Sequence, residues 1–520
     1  MRDTPWQDKA DEIDERRKQA KRGGGDDAIR KQHARDRLTI RERIDRMLDE
    51  GSLRETGPIA GAGERNDDGS LSFTPANFVL GIGKIAGRHC VIGGEDFTMG
   101  AGSPNAAGLR KSIYTEDLAL QYRIPLVRLH EGSGASITGS GGKTAKTLPE
   151  PVYARDRFES IARCLGTVPV ASAALGAVAG FPAGRLVASH YTVMTRHTAQ
   201  ILTGGPALVE RALGIKMTKE ELGGAAVHEK SGLVDDVVED ENAAFDAIKR
   251  FLSYLPPNVW ELPPRSASVV PAEQASAELE TIIPANRRRI YDMRRVVAAI
   301  VDRDSFFEMG RKFGPGQITG FARLDGYPIG VFASDPKHNA GSLTAAGAQK
   351  LRRFVDLCQT FHLPIVTLVD EPGFMIGPDA ERDATIRHGA SALISVALST
   401  VPWATVLVRK SMGLANYAHM PSGAYVLAWP SAESGALPVE GGVALAFRHE
   451  IAAAPDPAAR RTELEDQFAA LQSPFRQAET FSVHDLIHPR ETRARLTDWI
   501  ELVQARLKLQ LGPPQFSFRP

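Results

Sequence analysis

Four glycine-rich turns stand where apolar runs of the chain end: Glu131-Gly-Ser-Gly-Ala135, Gly176-Ala-Val-Ala-Gly-Phe-Pro-Ala-Gly184, Glu371-Pro-Gly-Phe-Met-Ile-Gly377 and Met412-Gly-Leu-Ala-Asn-Tyr417. Turns of this composition can aim backbone N–H groups at a negative oxygen, and a helix starting behind them adds the positive end of its dipole. The chemistry is stabilisation of an oxyanion. It needs no particular side chain, and losing one donor typically costs roughly 10² to 10³ in rate. A single glycine loop only shows that the chain turns; the functional reading rests on recurrence at matching places. Other motifs fail. Gly142-Lys143-Thr144 resembles the end of a phosphate loop, but the earlier glycine that such a loop requires falls at Ile137. Ser133 and Ser140 lie in glycine-rich loops without the Gly-x-Ser-x-Gly spacing of hydrolases. His190 and His197 read as core-satisfied or exposed, and Glu131, Asp370 and Glu371 as turn caps before acid/base groups.

The elements that must position these turns come in two copies, about 239 residues apart. Gly81-Ile-Gly-Lys-Ile-Ala-Gly87 answers Gly320-Phe-Ala-Arg-Leu-Asp-Gly326, Asp96 falls on Asp335, and Ile124-Pro-Leu-Val127 on Leu363-Pro-Ile-Val366. Later the offset slips by six, where Val168-Pro169 answers Val401-Pro402. So long a period means a duplicated domain and not a solenoid of short units. Each copy alternates strand and helix: a strand over 88–97, a helix over 107–122, a strand over 126–129, a helix over 154–165 and an apolar run over 168–175. That is an α/β fold, in which ligands gather at strand ends beside helix N-termini. The expected organisation is an N-terminal helical segment over 1–50, a first domain over 51–255, a Pro-rich linker over 256–284, and a second domain over 285–520 with a helical tail. Within 1–50, helices are predicted over 8–22 and over 31–49.

With 63 basic and 63 acidic side chains the net charge is zero, which argues against nucleic acid as a partner. Cys90, Cys164 and Cys358 are far apart and match no metal or disulfide spacing, as expected for a reducing cytoplasm. Two windows without charge, 165–184 and 389–408, are long enough to span a membrane but are broken by Pro169, Pro182 and Pro402; strands and helix ends are predicted there.

At these residues the chain resembles the carboxyltransferase (β) subunit of biotin-dependent acyl-CoA carboxylases, the propionyl-CoA and methylcrotonyl-CoA group. The resemblance rests on Ala28-Ile-Arg-Lys-Gln-His-Ala-Arg35, Leu38-Thr-Ile-Arg-Glu-Arg-Ile-Asp45, Glu95-Asp-Phe-Thr98, Leu202-Thr-Gly-Gly-Pro206, Glu221-Leu-Gly-Gly-Ala-Ala-Val-His228, Thr367-Leu-Val-Asp-Glu-Pro-Gly-Phe374, Arg387-His-Gly-Ala390 and Ala428-Trp-Pro430. It implies two tandem crotonase-like domains, the first binding an acyl-CoA and the second carboxybiotin carried by a partner. It also implies a homohexamer, with the site where the first domain of one subunit meets the second domain of another. The family's oxyanion pairs map onto Gly180-Phe181 and Leu414-Ala415, where Phe181 and Leu414 replace the usual small residues. Substrate-binding positions implied are Ser133, Gly134, Ala135, Gly373, Phe374, Asn416 and Tyr417. No metal is expected. The biotin-bearing Met-Lys-Met turn is missing, the nearest sequence being Ile215-Lys216-Met217, so a partner subunit must supply both biotin and its carboxylation. Two alternatives share the fold: a decarboxylase running the same sites in reverse, and a non-catalytic assembly paralogue suggested by the bulk at Phe181 and Leu414.

Overall fold

Each half of the chain builds its sheet from a hairpin outward. Strand β1 (Phe78–Ile85) turns into β2 (Arg88–Glu95) through Ala86-Gly87, both at positive φ (49° and 78°). Such φ values suit a two-residue turn whose twist matches the flanking strands. The computed structural model describes residues 6–134, 156–271, 273–286, 289–516 and 518–520. It divides into two units, Met1–Ser253 with Pro257–Val259 and Arg519–Pro520, and Tyr254–Pro256 with Trp260–Phe518.

In the first unit the hairpin leads through α1 (Ala106–Tyr122) to β3 (Leu126–Gly132), β4 (Val170–Ala179), the short helix α2 (Phe181–Val187), β5 (Tyr191–Thr195) and β6 (Gln200–Leu202). Among the described residues the sheet has eight strands, ordered Arg54–Glu55, β1, β2, β3, β4, β5, Asp236–Val238, with β6 paired to the far end of β4. The second unit repeats the order with β7 (Gln317–Leu324), β8 (Tyr327–Ser334), α3 (Ala345–Thr360), β9 (Ile365–Glu371), β10 (Trp403–Met412), β11 (Tyr425–Ala428) and β12 (Glu433–Gly435). Its edge strands are Phe307–Met309 and Asp485–Leu486.

The repetition extends to register. Leu126 faces Val170 on the β3–β4 ladder, and Ile365 faces Trp403 on β9–β10. Both ladders are interrupted at one place, between His130 and Gly132 in the first and between Val369 and Glu371 in the second. The helix after each hairpin is capped alike: the Asn105 side chain accepts the Gly108 N–H at 2.7 Å, and Thr344 accepts the Gly347 N–H at 3.0 Å. These are two copies of a crotonase-like α/β domain, as expected.

The predicted helix over 31–49 is two helices, Asp26–His33 and Ile40–Met47. Asp36 at φ 56° breaks the run, and Thr39 restarts it by a capping box with Glu42, a local signal stronger than the apolar spacing of Leu38, Ile44 and Met47. The 165–184 window is a helix end, β4 and the start of α2; the 389–408 window is the end of helix Thr385–Leu398 followed by β10. Among the described residues no helix is long and apolar enough to cross a membrane. The C-terminal helix Thr492–Lys508 buries Leu496, Trp499 and Ile500 in the core of the second unit.

Candidate active site

Strand β4 ends at Ala179, and the chain enters α2 through Gly180 at φ 65°, ψ −135°, a conformation that strains any residue carrying a Cβ. The first N–H groups of a helix have no partner within it. Those of Phe181 and Ala183 have no acceptor among the described residues, while Pro182, between them, has no N–H. The turn after β3 lies against this one: Gly134 is buried at φ 74°, and a Cβ there would come within 2.7 Å of the Ala179 carbonyl oxygen. Ser133 is exposed and donates its N–H to Ala101 O at 3.1 Å. Ala135 lies outside the described residues. The Phe181 ring meets the edge of Phe158 at 5.9 Å, with the Arg157 guanidinium 5.5 Å from its centre, so its bulk is pinned to a neighbouring helix.

The second unit repeats the device. Gly413 takes φ 65°, ψ −156° and leads into a 3₁₀ turn over Leu414–Ala418. The N–H groups of Leu414 and Ala415 have no acceptor among the described residues, whereas Gly413 donates to Gly435 O at 2.9 Å. Matching Gly180 to Gly413 pairs Phe181 with Leu414 and sets Ala415 against Pro182. The Gly180-Phe181 and Leu414-Ala415 pairs therefore stand one step out of phase. The Leu414 side chain is 54% exposed and the Tyr417 side chain also faces solvent. Ser411 Oγ hydrogen-bonds Asn416 Oδ1. Gly373 (φ 126°) accepts the Leu343 N–H at 3.0 Å, and the Phe374 ring fills the space beside Gly389, where a Cβ would come within 2.3 Å of it.

Buried polar and charged side chains hold both turns from below. In the first unit Glu116 on α1 sits 2.7 Å from Arg128 on β3 and 2.8 Å from Arg185 on α2. Arg128 also donates to the carbonyls of Arg185 and Ala188, at 2.7 and 3.0 Å, closing the end of α2. Thr367 and Thr405 do this work in the second unit, donating to the His419 carbonyl at 3.3 and 2.6 Å. Glu131, last but one on β3, is fully buried and meets Arg43 at 2.7 Å, Arg37 at 2.9 Å and Gln32 at 2.6 Å, all from the N-terminal helical segment. Its counterpart Asp370 binds Arg409 at 2.8 Å and Tyr291 Oη at 3.0 Å. Glu371 and His419, both buried, meet at 3.1 Å, with the imidazole stacked on Phe332 at 4.6 Å. Burial pushes the Glu371 carboxyl up, and His419 offsets only part of this. Glu131, Asp370 and Glu371 are therefore buried anchors and not the turn caps expected. His190 is core-satisfied, bonded to Val170 N and Leu165 O at 3.0 Å each. His197 is exposed beside Glu239.

The carboxyl transferase domain family matches residues 31–514. The chain belongs to this family. It is 36% identical to the carboxyltransferase subunit of propionyl-CoA carboxylase from Haloferax mediterranei, over 97% of this chain and 98% of that one. It is 34% identical to the propionyl-CoA carboxylase β chain of Cereibacter sphaeroides, over 94% of each chain. The crystal structure of transcarboxylase 12S, a hexamer assembly with methylmalonyl-CoA and methylmalonic acid bound, superposes with a TM-score of 0.85 at 31% identity, covering 99% of this chain and 97% of that one.

Within this carboxyl transferase fold, sequence reasoning located the four turns and missed the ionic anchors under them. Arg128 and His130 did carry a signal, as isolated polar residues in an otherwise apolar strand, but their partners are far away in sequence. His130 Nδ1 meets Glu95 at 3.1 Å; burial lowers the imidazole pKa against the pull of Glu95, while His130 and Arg185 hold the Glu95 carboxyl below the usual range in spite of its own burial.

Proposed function

We infer that the chain is the carboxyltransferase subunit of a biotin-dependent acyl-CoA carboxylase of the propionyl-CoA type. It would act in a homo-oligomer with a partner that carries and carboxylates biotin. The observation that carries the reading is the pair of equivalent glycine-led turns, each presenting unpartnered N–H groups, in a chain related over nearly its whole length to propionyl-CoA carboxylase subunits. A docked carboxybiotin would supply the carboxyl group: as its N–C bond breaks, the α-proton of the acyl-CoA passes to the freed ureido nitrogen and the new C–C bond forms at the α carbon. The N–H groups of Phe181 and Ala183, led by the turn at Gly180, would hold the thioester oxygen as negative charge grows on it. Those of Leu414 and Ala415, two adjacent donors, would hold the carbonyl oxygen of the biotin ring. The carboxylates nearest the turns among the described residues (Glu131, Asp370, Glu371) are committed to buried partners, so these residues act by electrostatics and positioning and not as a side-chain base. Phe181 packed on Phe158, and Leu414 turned outward, support a catalytic role over a purely architectural one. The buried, unpaired cysteines suit a cytoplasmic setting.

The test is reconstitution with a biotinylated carboxylase subunit, ATP, labelled bicarbonate and propionyl-CoA. Label should appear in methylmalonyl-CoA. Failure to label propionyl-CoA or any longer or branched acyl-CoA would reject the assignment.

A further inference from the structure

Beside the first turn lies a cavity of about 480 Å³ that opens on Gly180, Ala183 and Gly184 and runs back between α2 and the segment after β6. Its remaining wall is apolar, with Val187, Ile201, Leu202, Val209, Leu222 and Leu233, and no Asp, Glu, Lys or Arg lines it among the described residues. Ala183, Ile201 and Leu233 also belong to an apolar cluster behind it with Val178 and Leu186. The polar side chains are Thr203 and His228, and the imidazole is already engaged, Nε2 with Ile201 O at 2.8 Å and Nδ1 with Ser231 Oγ at 3.4 Å. A cavity with such walls rewards apolar chain and offers little to a phosphate, a carboxylate or a ureido ring.

We propose that this cavity receives the acyl chain of the thioester, and that its room extends the accepted acyl groups beyond propionyl to longer chains. The proposal rests on the functional reading above, because it takes the thioester oxygen to lie on the N–H groups at the mouth of the cavity. An acyl group held there has its carbonyl at Gly180 and its tail directed to Val187 and Val209. The cavity is in the size range of pockets that bury whole small ligands, far more than a three-carbon group fills. Each further methylene should tighten binding by roughly fourfold until the cavity is full.

The experiment is a calorimetric series on the full chain with CoA, acetyl-, propionyl-, butyryl-, hexanoyl- and octanoyl-CoA, which needs neither partner nor turnover. Stepwise tightening beyond propionyl, ending in a plateau, is the expected result. Val209→Trp, on a partly exposed helix face, should weaken octanoyl-CoA by roughly tenfold or more relative to CoA itself. Affinity independent of chain length overturns the proposal. So does a Val209→Trp loss equal for every thioester and for CoA itself, which would assign the cavity to the pantetheine arm. If chain-length selection is present but no thioester is carboxylated in reconstitution, the functional reading fails and the cavity assignment stands.

Discussion

Glu116→Gln probes how the first turn is held. The native carboxylate lies between two guanidinium groups, Arg128 at 2.7 Å and Arg185 at 2.8 Å, whose side chains are 1% exposed. Glutamine keeps the volume and one acceptor but removes the negative charge, leaving two buried cations without a counter-charge. Removing one partner from such a buried set costs about 3–5 kcal/mol. For a unit of roughly 250 residues each kcal/mol moves Tm by about 2 °C, so a fall of about 6–10 °C is expected for the first unit. The acid limb should change too. Burial alone would push the Glu116 carboxyl up, but Arg185 and Arg128 outweigh it and hold the group below the usual carboxylate range. A carboxyl with a lowered folded-state pKa contributes stability that is present above its unfolded pKa and lost as pH falls through the folded value. The Gln variant lacks that part of the acid destabilisation. Thermal melts from pH 7 to pH 3, with hydrogen exchange over 179–190, follow both effects. A variant that melts within 1 °C of the parent, with unchanged exchange in α2, would refute the view that this triad anchors the turn. Replacing all three residues by apolar ones of similar volume should be far milder, since no charge is then stranded.

Gly180→Ala forces a Cβ into φ 65°, ψ −135° and should cost about 1–3 kcal/mol of local strain, read as a large fall in kcat with a small fall in Tm. Ala415→Pro places in the second turn the residue that the first turn carries at Pro182; the fold should tolerate it, and loss of one donor should lower kcat by roughly 10² to 10³, measured in the reconstituted reaction. Glu371→Gln should stabilise the second unit at neutral pH relative to acid. Its carboxyl has a raised folded-state pKa, so its contribution is full below the unfolded value near 4.5 and declines as pH rises toward the folded one. Denaturant melts at pH 4.5 and pH 7.5 test this, and an unchanged pH slope would rule it out.

Much of the fold was legible because duplication checks itself: the 239-residue offset and its later slip of six reappear as identical ladder registers. The turns were legible because glycine at the end of an apolar run has few uses. The phase of the two donor pairs was within reach, since the offset of 239 less the slip of six already carries Gly180 onto Gly413. What the residues alone could not show is that both glycines take the strained conformation and which N–H groups behind them lack an acceptor. The ionic anchors were hidden for a different reason. Glu131 lies 94 residues from Arg37, and the guanidinium groups it meets come from the 31–49 segment, whose apolar positions Leu38, Ile44, Met47 and Leu48 mark its inner side while nothing marks Arg37 or Arg43 for burial. The break at Asp36, which aims that segment, is one αL residue with no apolar signature.

The buried acid at the foot of each turn bears on whether the two halves are still spare parts for one another. The first half imports its cations from the N-terminal helices, and it has room to do so because Gly176 leaves space: a Cβ there would come within 2.3 Å of Glu131 Oε1. The second half grows its cation in place, with Arg409 at the position matching Gly176. The two arrangements exclude each other at the level of atoms. A chimera that copied β10 into the first half would drive an arginine stem into the Glu131 carboxylate while the helical arm still delivered two more. After duplication, then, each copy became committed to its own source of positive charge, and the exchange of whole strands between them was closed off.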